Sequence, residues 1–309
     1  MKLLLLGCTG FIGKELIPKL INSGHELTII TRQNQSTLNP QLKNKNIHLL
    51  KLDPSSIFSW EDIKLLNAVK ESEGIINLAG ESIADKRWNK KQCKKIRNSR
   101  VLTTQYLIKT INQLPKPPRL LINGSAIGFY GTSENLEFNE DSLQGNDFLA
   151  NVCKEWEQAA FEKPQKTRLI ILRIGIVLEK DGGALGKMLP IFRAGLGGPI
   201  GDGRQWMTWI HRADICEIIN QAILNQSWKG TINAVAPNPV LMSKFSETLG
   251  KSLNRPSLLS VPGPILKLLL GDGAKIVLEG QKVMSKKLKK LGFNFTYPDL
   301  SSAIDSITK

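Results

Sequence analysis

The residues Gly7-Cys8-Thr9-Gly10-Phe11-Ile12-Gly13 spell G-x-x-G-x-x-G between an apolar run, Lys2 to Leu6, and a stretch with helical spacing. That stretch places Ile12, Leu16 and Leu20 on one face and stops at Gly24. Strand, glycine loop and helix form the opening unit of a doubly wound sheet that binds a dinucleotide. Each glycine has a physical reason to be there. Gly7 lets the chain turn sharply, Gly10 lets backbone approach a pyrophosphate, and Gly13 lets helix and strand pack closely. The helix N-terminus then offers unpaired N–H groups to the anion. The loop is therefore assigned to cofactor binding through Gly7, Thr9, Gly10, Phe11, Ile12 and Gly13; the bland alternative is a tight turn without a ligand.

Further runs read as strands at Glu26–Thr31, Ile47–Leu52, Ile75–Leu78, Leu120–Asn123 and Leu169–Ile176. A long charged segment, Lys90 to Leu114, and a helical stretch, Phe148 to Phe161, lie between them. Short apolar strands alternating with helical segments predict an α/β chain with a Rossmann-type, doubly wound parallel sheet covered on both faces. From about residue 180 the texture changes to glycine-rich loops at 181–183, 195–199 and 201–203, then two helices near 213–225 and 243–252. The expected division is 1–236 for the nucleotide-binding domain, with 180–230 partly on the substrate side, and 237–309 for a smaller C-terminal substrate or lid part. The 180–204 segment is expected to be a mobile flap.

The end of the second strand distinguishes the two dinucleotides. An Asp or Glu there would bind the ribose 2′-hydroxyl of NAD. The chain instead reads Ile30-Thr31-Arg32-Gln33. Arg32 stands where a guanidinium can form paired hydrogen bonds with a 2′-phosphate, which predicts NADP(H).

Lys and Arg outnumber Asp and Glu by 42 to 27, a formal net charge of +15. Such an excess fits an anionic ligand or nucleic acid. The densest run, Lys86 to Arg100, reads as a solvated helix face with Ile96 inward, so no nucleic-acid partner is expected. Cys8, Cys93, Cys153 and Cys216 are far apart, which argues against a disulfide framework, and three histidines are too few for a His-rich metal site. No stretch reaches the ~18 apolar residues of a membrane span. The sequence is read as that of a cytoplasmic protein with a small-molecule substrate and a possible homodimer.

Beyond the glycine loop, Asn77-Leu78-Ala79-Gly80 and Gly124-Ser125-Ala126-Ile127-Gly128-Phe129-Tyr130-Gly131 resemble elements of the extended short-chain dehydrogenase/reductase superfamily. Longer strings are similar to an atypical group, the NAD-dependent epimerase/dehydratase-like "epimerase family". These are Leu78 to Trp88, Asn98-Ser99-Arg100-Val101, Gly201 to His211, and the tail Leu278 to Val283 followed by Gly292-Phe293. The resemblance covers nearly the whole chain. It implies an NADP-type Rossmann site with Thr31, Arg32, Leu78, Ala79, Gly80, Arg100 and Ser125 at the cofactor, and a C-terminal domain of unknown function.

The superfamily's catalytic Tyr-x-x-x-Lys is absent. Four residues beyond Tyr106, Tyr130 and Tyr297 stand Thr110, Glu134 and Ser301. Where the pair is expected, the chain carries Leu149 and Cys153. The candidate proton donors are Ser125 and Tyr130; Cys153, His211, Asp214, Glu81 and Asp85 are weaker ones. Two readings follow: an NADP(H)-dependent oxidoreductase or nucleotide-sugar-type epimerase without the standard pair, or a catalytically silent NADP(H)-binding sensor or scaffold acting through a protein partner.

Overall fold

Leu3, Leu4, Leu5 and Leu6 are all buried because the strand they form has a core on each side. In the computed structural model, which describes residues 1–33 and 44–309, Leu3 and Leu5 join one apolar cluster while Leu4 and Leu6 join another. Period-two alternation between two covered faces is what turns a strand into an unbroken apolar run.

The elements begin with β1 (Lys2–Leu6), α1 (Gly13–Asn22), β2 (Glu26–Thr31), β3 (Ile47–Lys51), α2 (Ile63–Glu71), β4 (Gly74–Asn77), α3 (Lys90–Asn112) and β5 (Leu120–Ala126). They continue with β6 (Glu137–Phe138), α4 (Phe148–Phe161), β7 (Arg168–Ile174), β8 (Ile176–Leu178), α5 (Gly183–Arg193), β9 (Trp206–Met207), β10 (Trp209–His211) and α6 (Arg212–Leu224). The last stretch adds β11 (Gly230–Ala234), β12 (Val240–Leu241), α7 (Met242–Ser252), α8 (Gly263–Leu270), α9 (Lys275–Leu278), β13 (Lys282–Val283), α10 (Lys286–Lys290) and α11 (Leu300–Thr308).

Seven strands form one parallel sheet in the order β3-β2-β1-β4-β5-β7-β11. The chain winds outward from β1 to β3 and then returns to the other side of β1 for β4. The crevice at the carboxyl ends of β1 and β4 is therefore the topological switch point, where ligands of open α/β sheets bind. Leu16 and Leu20 of α1 and Ile215 and Ile219 of α6 cover one face; Leu65 of α2 and Leu107 and Ile111 of α3 cover the other.

A third core lies beyond the sheet, where Leu185, Leu189 and Phe192 of α5 meet Trp209, Phe245 of α7 and Ile304 of α11. It corrects the expected flap. The middle of 180–204, Gly183–Arg193, is a helix whose apolar face is buried, and burying those side chains is worth about 1.5–3 kcal/mol each. The tail also differs from a lid. Leu288 belongs to the main sheet core, with Phe293 and Phe295 packed against it, and β13 pairs with β6. The tail segment that meets a crevice loop is Leu270–Ala274. There the Trp88 N–H donates to the Leu270 carbonyl at 3.1 Å, and the Trp88 ring lies so near Gly273 that a Cβ would approach it to 2.8 Å. Among the described residues, no helix is long and apolar enough to cross a membrane.

Candidate functional site

The glycine loop is shaped by its neighbours. Gly7 has φ +73°, and a Cβ there would lie 2.4 Å from the Ala79 Cα, so the ends of β1 and β4 meet backbone to backbone. A Cβ on Gly13 would sit 1.5 Å from the Cys8 carbonyl oxygen, which is the close helix–strand packing the motif calls for. Gly10 is different. A Cβ there would find its nearest neighbour at 3.7 Å, so the chain's own packing does not demand that glycine. Gly7, Gly10 and Gly80 are exposed and form an open floor. The first residue of α1 is preceded by Ile12, whose side chain caps nothing, so the helix N-terminus carries positive potential without a side-chain acceptor.

Thr9 and Thr31 hydroxyls lie 3.2 Å apart and fix the loop to the end of β2. Phe11 and Ile12 serve on the outer side. Phe11 packs under Gly182 and Gly183, its carbonyl accepts from Arg212 at 3.4 Å, and the Ile12 carbonyl accepts from the Cys216 thiol at 3.7 Å. Asn77, fully buried, donates to Asn123 and Thr104 at 2.7 and 2.9 Å and accepts from the Ala79 N–H at 3.2 Å, which sets the Leu78-Ala79-Gly80 turn.

Three cations border the floor. Arg32 is exposed and lies 3.6 Å from the Glu81 carboxylate; Lys86 approaches the same carboxylate at 3.3 Å. Arg100 donates to the Glu81 and Ile96 carbonyls at 3.0 Å each and lies over the Trp156 ring, 5.5 Å from its centroid. Burial lowers the Arg100 pKa. Burial acts to raise that of Glu81, but Lys86 and Arg32 outweigh it and hold the carboxyl below its usual range. The lysines 90, 91, 94 and 95 on α3 are exposed, and Ile96 is fully buried.

Ser125 and Tyr130 do not face the crevice as proton donors. Both are 3% exposed. The Ser125 hydroxyl donates to Glu157 at 2.6 Å, and Arg173 grips the same carboxylate with two hydrogen bonds of 2.8 Å. A third Arg173 N–H donates to the Tyr130 oxygen at 2.9 Å, and the phenol donates to Asn233 at 2.7 Å. Arg173 also stacks on Phe129, 3.4 Å from its centroid. Burial raises the Tyr130 pKa. The two hydroxyls close a buried ion-pair network, with both phenol hydrogen-bonding roles already filled, and that is the correction to their reading as catalysts. The sequence carries a signal for this network: Arg173 interrupts the otherwise apolar strand Leu169-Ile170-Ile171-Leu172, and a charge there needs a buried partner.

The positions expected to hold the catalytic pair carry Leu149, half-buried, and Cys153, whose thiol burial pushes up to about 11. A buried thiol of that kind stays protonated. All four cysteines are unbonded. His211 is held at its own helix: its Nδ1 accepts from the Ala213 N–H at 3.0 Å, its ring lies 4.0 Å from Tyr297, and burial lowers its pKa to about 4. Asp214, fully buried, accepts from the Thr296 and Tyr297 N–H groups at 2.7 and 3.1 Å. Both brace the tail. Asp85 pairs with Lys187 of α5 at 2.6 Å.

A sequence profile of the NAD dependent epimerase/dehydratase family matches residues 3–234, and one for a domain of unknown function (DUF1731) matches 261–307. The "Epimerase family protein SDR39U1 homolog, chloroplastic" of Arabidopsis thaliana is 42% identical over 303 residues, covering 97% of this chain and 85% of that protein. The Homo sapiens "Epimerase family protein SDR39U1" is 35% identical over 311 residues, 99% of each chain. A crystal structure of the human protein (isoform 2) with NADPH aligns with a TM-score of 0.88 at 34% identity, covering 100% and 99% of the two chains. UDP-glucose 4-epimerase of Thermotoga maritima, at 15% identity and a TM-score of 0.79, covers 100% and 97% and shares the fold.

Proposed function

Because the chain belongs to the NAD dependent epimerase/dehydratase family, we propose that it binds NADP(H) at the switch point and acts as an oxidoreductase or epimerase whose proton step bypasses the Tyr-x-x-x-Lys pair. One observation carries this reading. The exposed glycine floor, with room at Gly10 that the chain's own packing leaves open, ends beside the exposed guanidinium of Arg32. The human relative crystallised with NADPH supports it.

The residues present fit the cofactor. The N-terminus of α1 and the Gly7–Gly13 backbone suit the pyrophosphate, and Arg32 suits a 2′-phosphate. Leu78, Ala79 and Gly80, set by Asn77, line the β4 side, and Arg100 closes that side from α3. Bound there, the nicotinamide supplies or accepts a hydride. The chain's part is to bind, orient and exclude water; Cys153 keeps its proton, and Leu149 has none to give.

That last fact favours a second reading, a cofactor-responsive protein without turnover. NADPH oxidation with a panel of carbonyl compounds, together with epimer formation from nucleotide sugars, whose carbinols an epimerase oxidises and re-reduces without net cofactor consumption, separates the two. The first reading predicts turnover with a member of the panel, changed less than about threefold in kcat by Tyr130→Phe, since removing the phenol's two buried hydrogen bonds, to Arg173 and Asn233, does not touch the reacting atoms. NADPH binding with neither oxidation by any carbonyl compound nor epimerisation of any nucleotide sugar would favour the second.

A further inference from the structure

Glu81 stands where the cofactor reading needs a vacancy for an anion. Arg32 follows β2 and Glu81 follows β4, and these strands flank β1 on opposite sides. The 3.6 Å contact between them therefore crosses above the carboxyl end of β1, over the glycine floor. Lys86 closes on the other carboxylate oxygen at 3.3 Å. The Glu81 side chain is 17% exposed, against 60% for each of its cations, so an acid is drawn inward between two solvated cations.

The backbone beneath that carboxylate is fixed. The Glu81 N–H donates to the Ser99 hydroxyl at 2.9 Å, and its carbonyl accepts from Arg100 at 3.0 Å. Next to Lys86, Asp85 is tied to Lys187 at 2.6 Å, and the Ala84 carbonyl accepts from the same ammonium at 2.9 Å. The Glu81 side chain can thus swing out while the main chain stays in place. The second strand also lacks the acid that would bind a ribose hydroxyl, so the carboxylate nearest Arg32 is one supplied from the neighbouring loop.

We propose that Glu81 is a built-in counter-anion of the 2′-phosphate subsite, holding Arg32 and Lys86 in a clasp over β1 until the phosphate of NADP(H) replaces it. Lys86 is then a second ligand of the phosphate, and Glu81 sets the discrimination between phosphorylated and unphosphorylated dinucleotides. A dianionic phosphate outcompetes a carboxylate for two cations, whereas NADH offers no group that does so. The inference rests on the NADP(H) reading and refines it.

Calorimetric titration of the full chain with NADPH, NADH and 2′,5′-ADP tests it, with thermal melts to verify folding. Glu81→Gln removes the competing charge and is expected to tighten NADPH and 2′,5′-ADP about fivefold, with NADH changed less than about twofold; the scale is that of exposed ion pairs. Lys86→Ala is expected to weaken NADPH and 2′,5′-ADP about fivefold and to spare NADH. Glu81→Gln that weakens NADPH and NADH alike would overturn the proposal, because the carboxylate would then hold ribose hydroxyls. So would NADPH affinity untouched by Lys86→Ala, a result that decides the matter even if the Glu81 variant does not fold. Wild-type protein that binds no NADPH would instead remove the underlying cofactor reading.

Discussion

Arg173 and Glu157 are buried to 6% and 4% side-chain exposure, so each charge has the other in place of water. Ser125 and Tyr130 complete the set, turning hydroxyls that a reader of the strand would place at a reaction centre into supports for a charge pair. Removing one ion strands the other in a low-dielectric interior, which costs about 3–5 kcal/mol, while replacing both by apolar groups costs much less. Arg173→Met should therefore lower the unfolding free energy by about 3–5 kcal/mol in urea titrations, and Arg173→Met with Glu157→Leu by less than Arg173→Met alone. Equal losses in the two proteins would show that the network's value lies in packing rather than in charge.

At the scale of elements, the carboxyl ends of the strands were legible and the far side of the crevice was not. Strand β2 lies within the expected bounds, and α4 has them to the residue, because apolar periodicity is local. The glycine loop was legible from its spacing between strand and helix; Gly13 answers to the backbone of Cys8 and Gly7 to that of Ala79, while Gly10 meets nothing nearer than 3.7 Å. The ion-pair network was hidden, because Arg173 and Tyr130 meet through sheet order, not spacing. The helix inside 180–204 was hidden behind its flanking glycines; Leu185, Leu189 and Phe192 are the apolar stripe that would have disclosed it. Helix α6 shows how such a junction is held, with His211 as its N-cap. Its folded pKa, about 4, lies below the value near 6.5 of the unfolded chain. The unfolded state therefore binds the extra proton first, and the stabilisation is complete above pH 6.5 and is lost as pH falls towards 4. Between pH 7 and pH 5 this one site should remove about 2 kcal/mol. His211→Asn keeps a cap without titrating, so its stability should vary with pH by that much less; parallel pH slopes for the two proteins would rule the mechanism out.

For the whole molecule, the tail is part of the frame. Leu288 lies in the sheet core, Phe293 packs on Trp228, α11 fills the third core, and Asp214 binds the backbone of Thr296 and Tyr297. Deleting 284–309 should abolish cooperative thermal unfolding in circular dichroism, since about 1.5–3 kcal/mol is lost for each large buried side chain removed. A cooperative melt within a few degrees of the full chain would restore the tail to the role of a lid.

At the centre of the molecule's proposed function is a crevice whose glycine floor ends at Arg32. The most direct measurement is a parallel calorimetric titration with NADPH and NADH, on the wild type and on Arg32→Ala. The prediction is tighter binding of NADPH than NADH, a loss of about 10- to 100-fold in NADPH affinity on Arg32→Ala, as for a charge-assisted phosphate contact, and little change for NADH. Equal affinity for the two nucleotides, or an Arg32→Ala protein that holds NADPH as tightly as before, would contradict it.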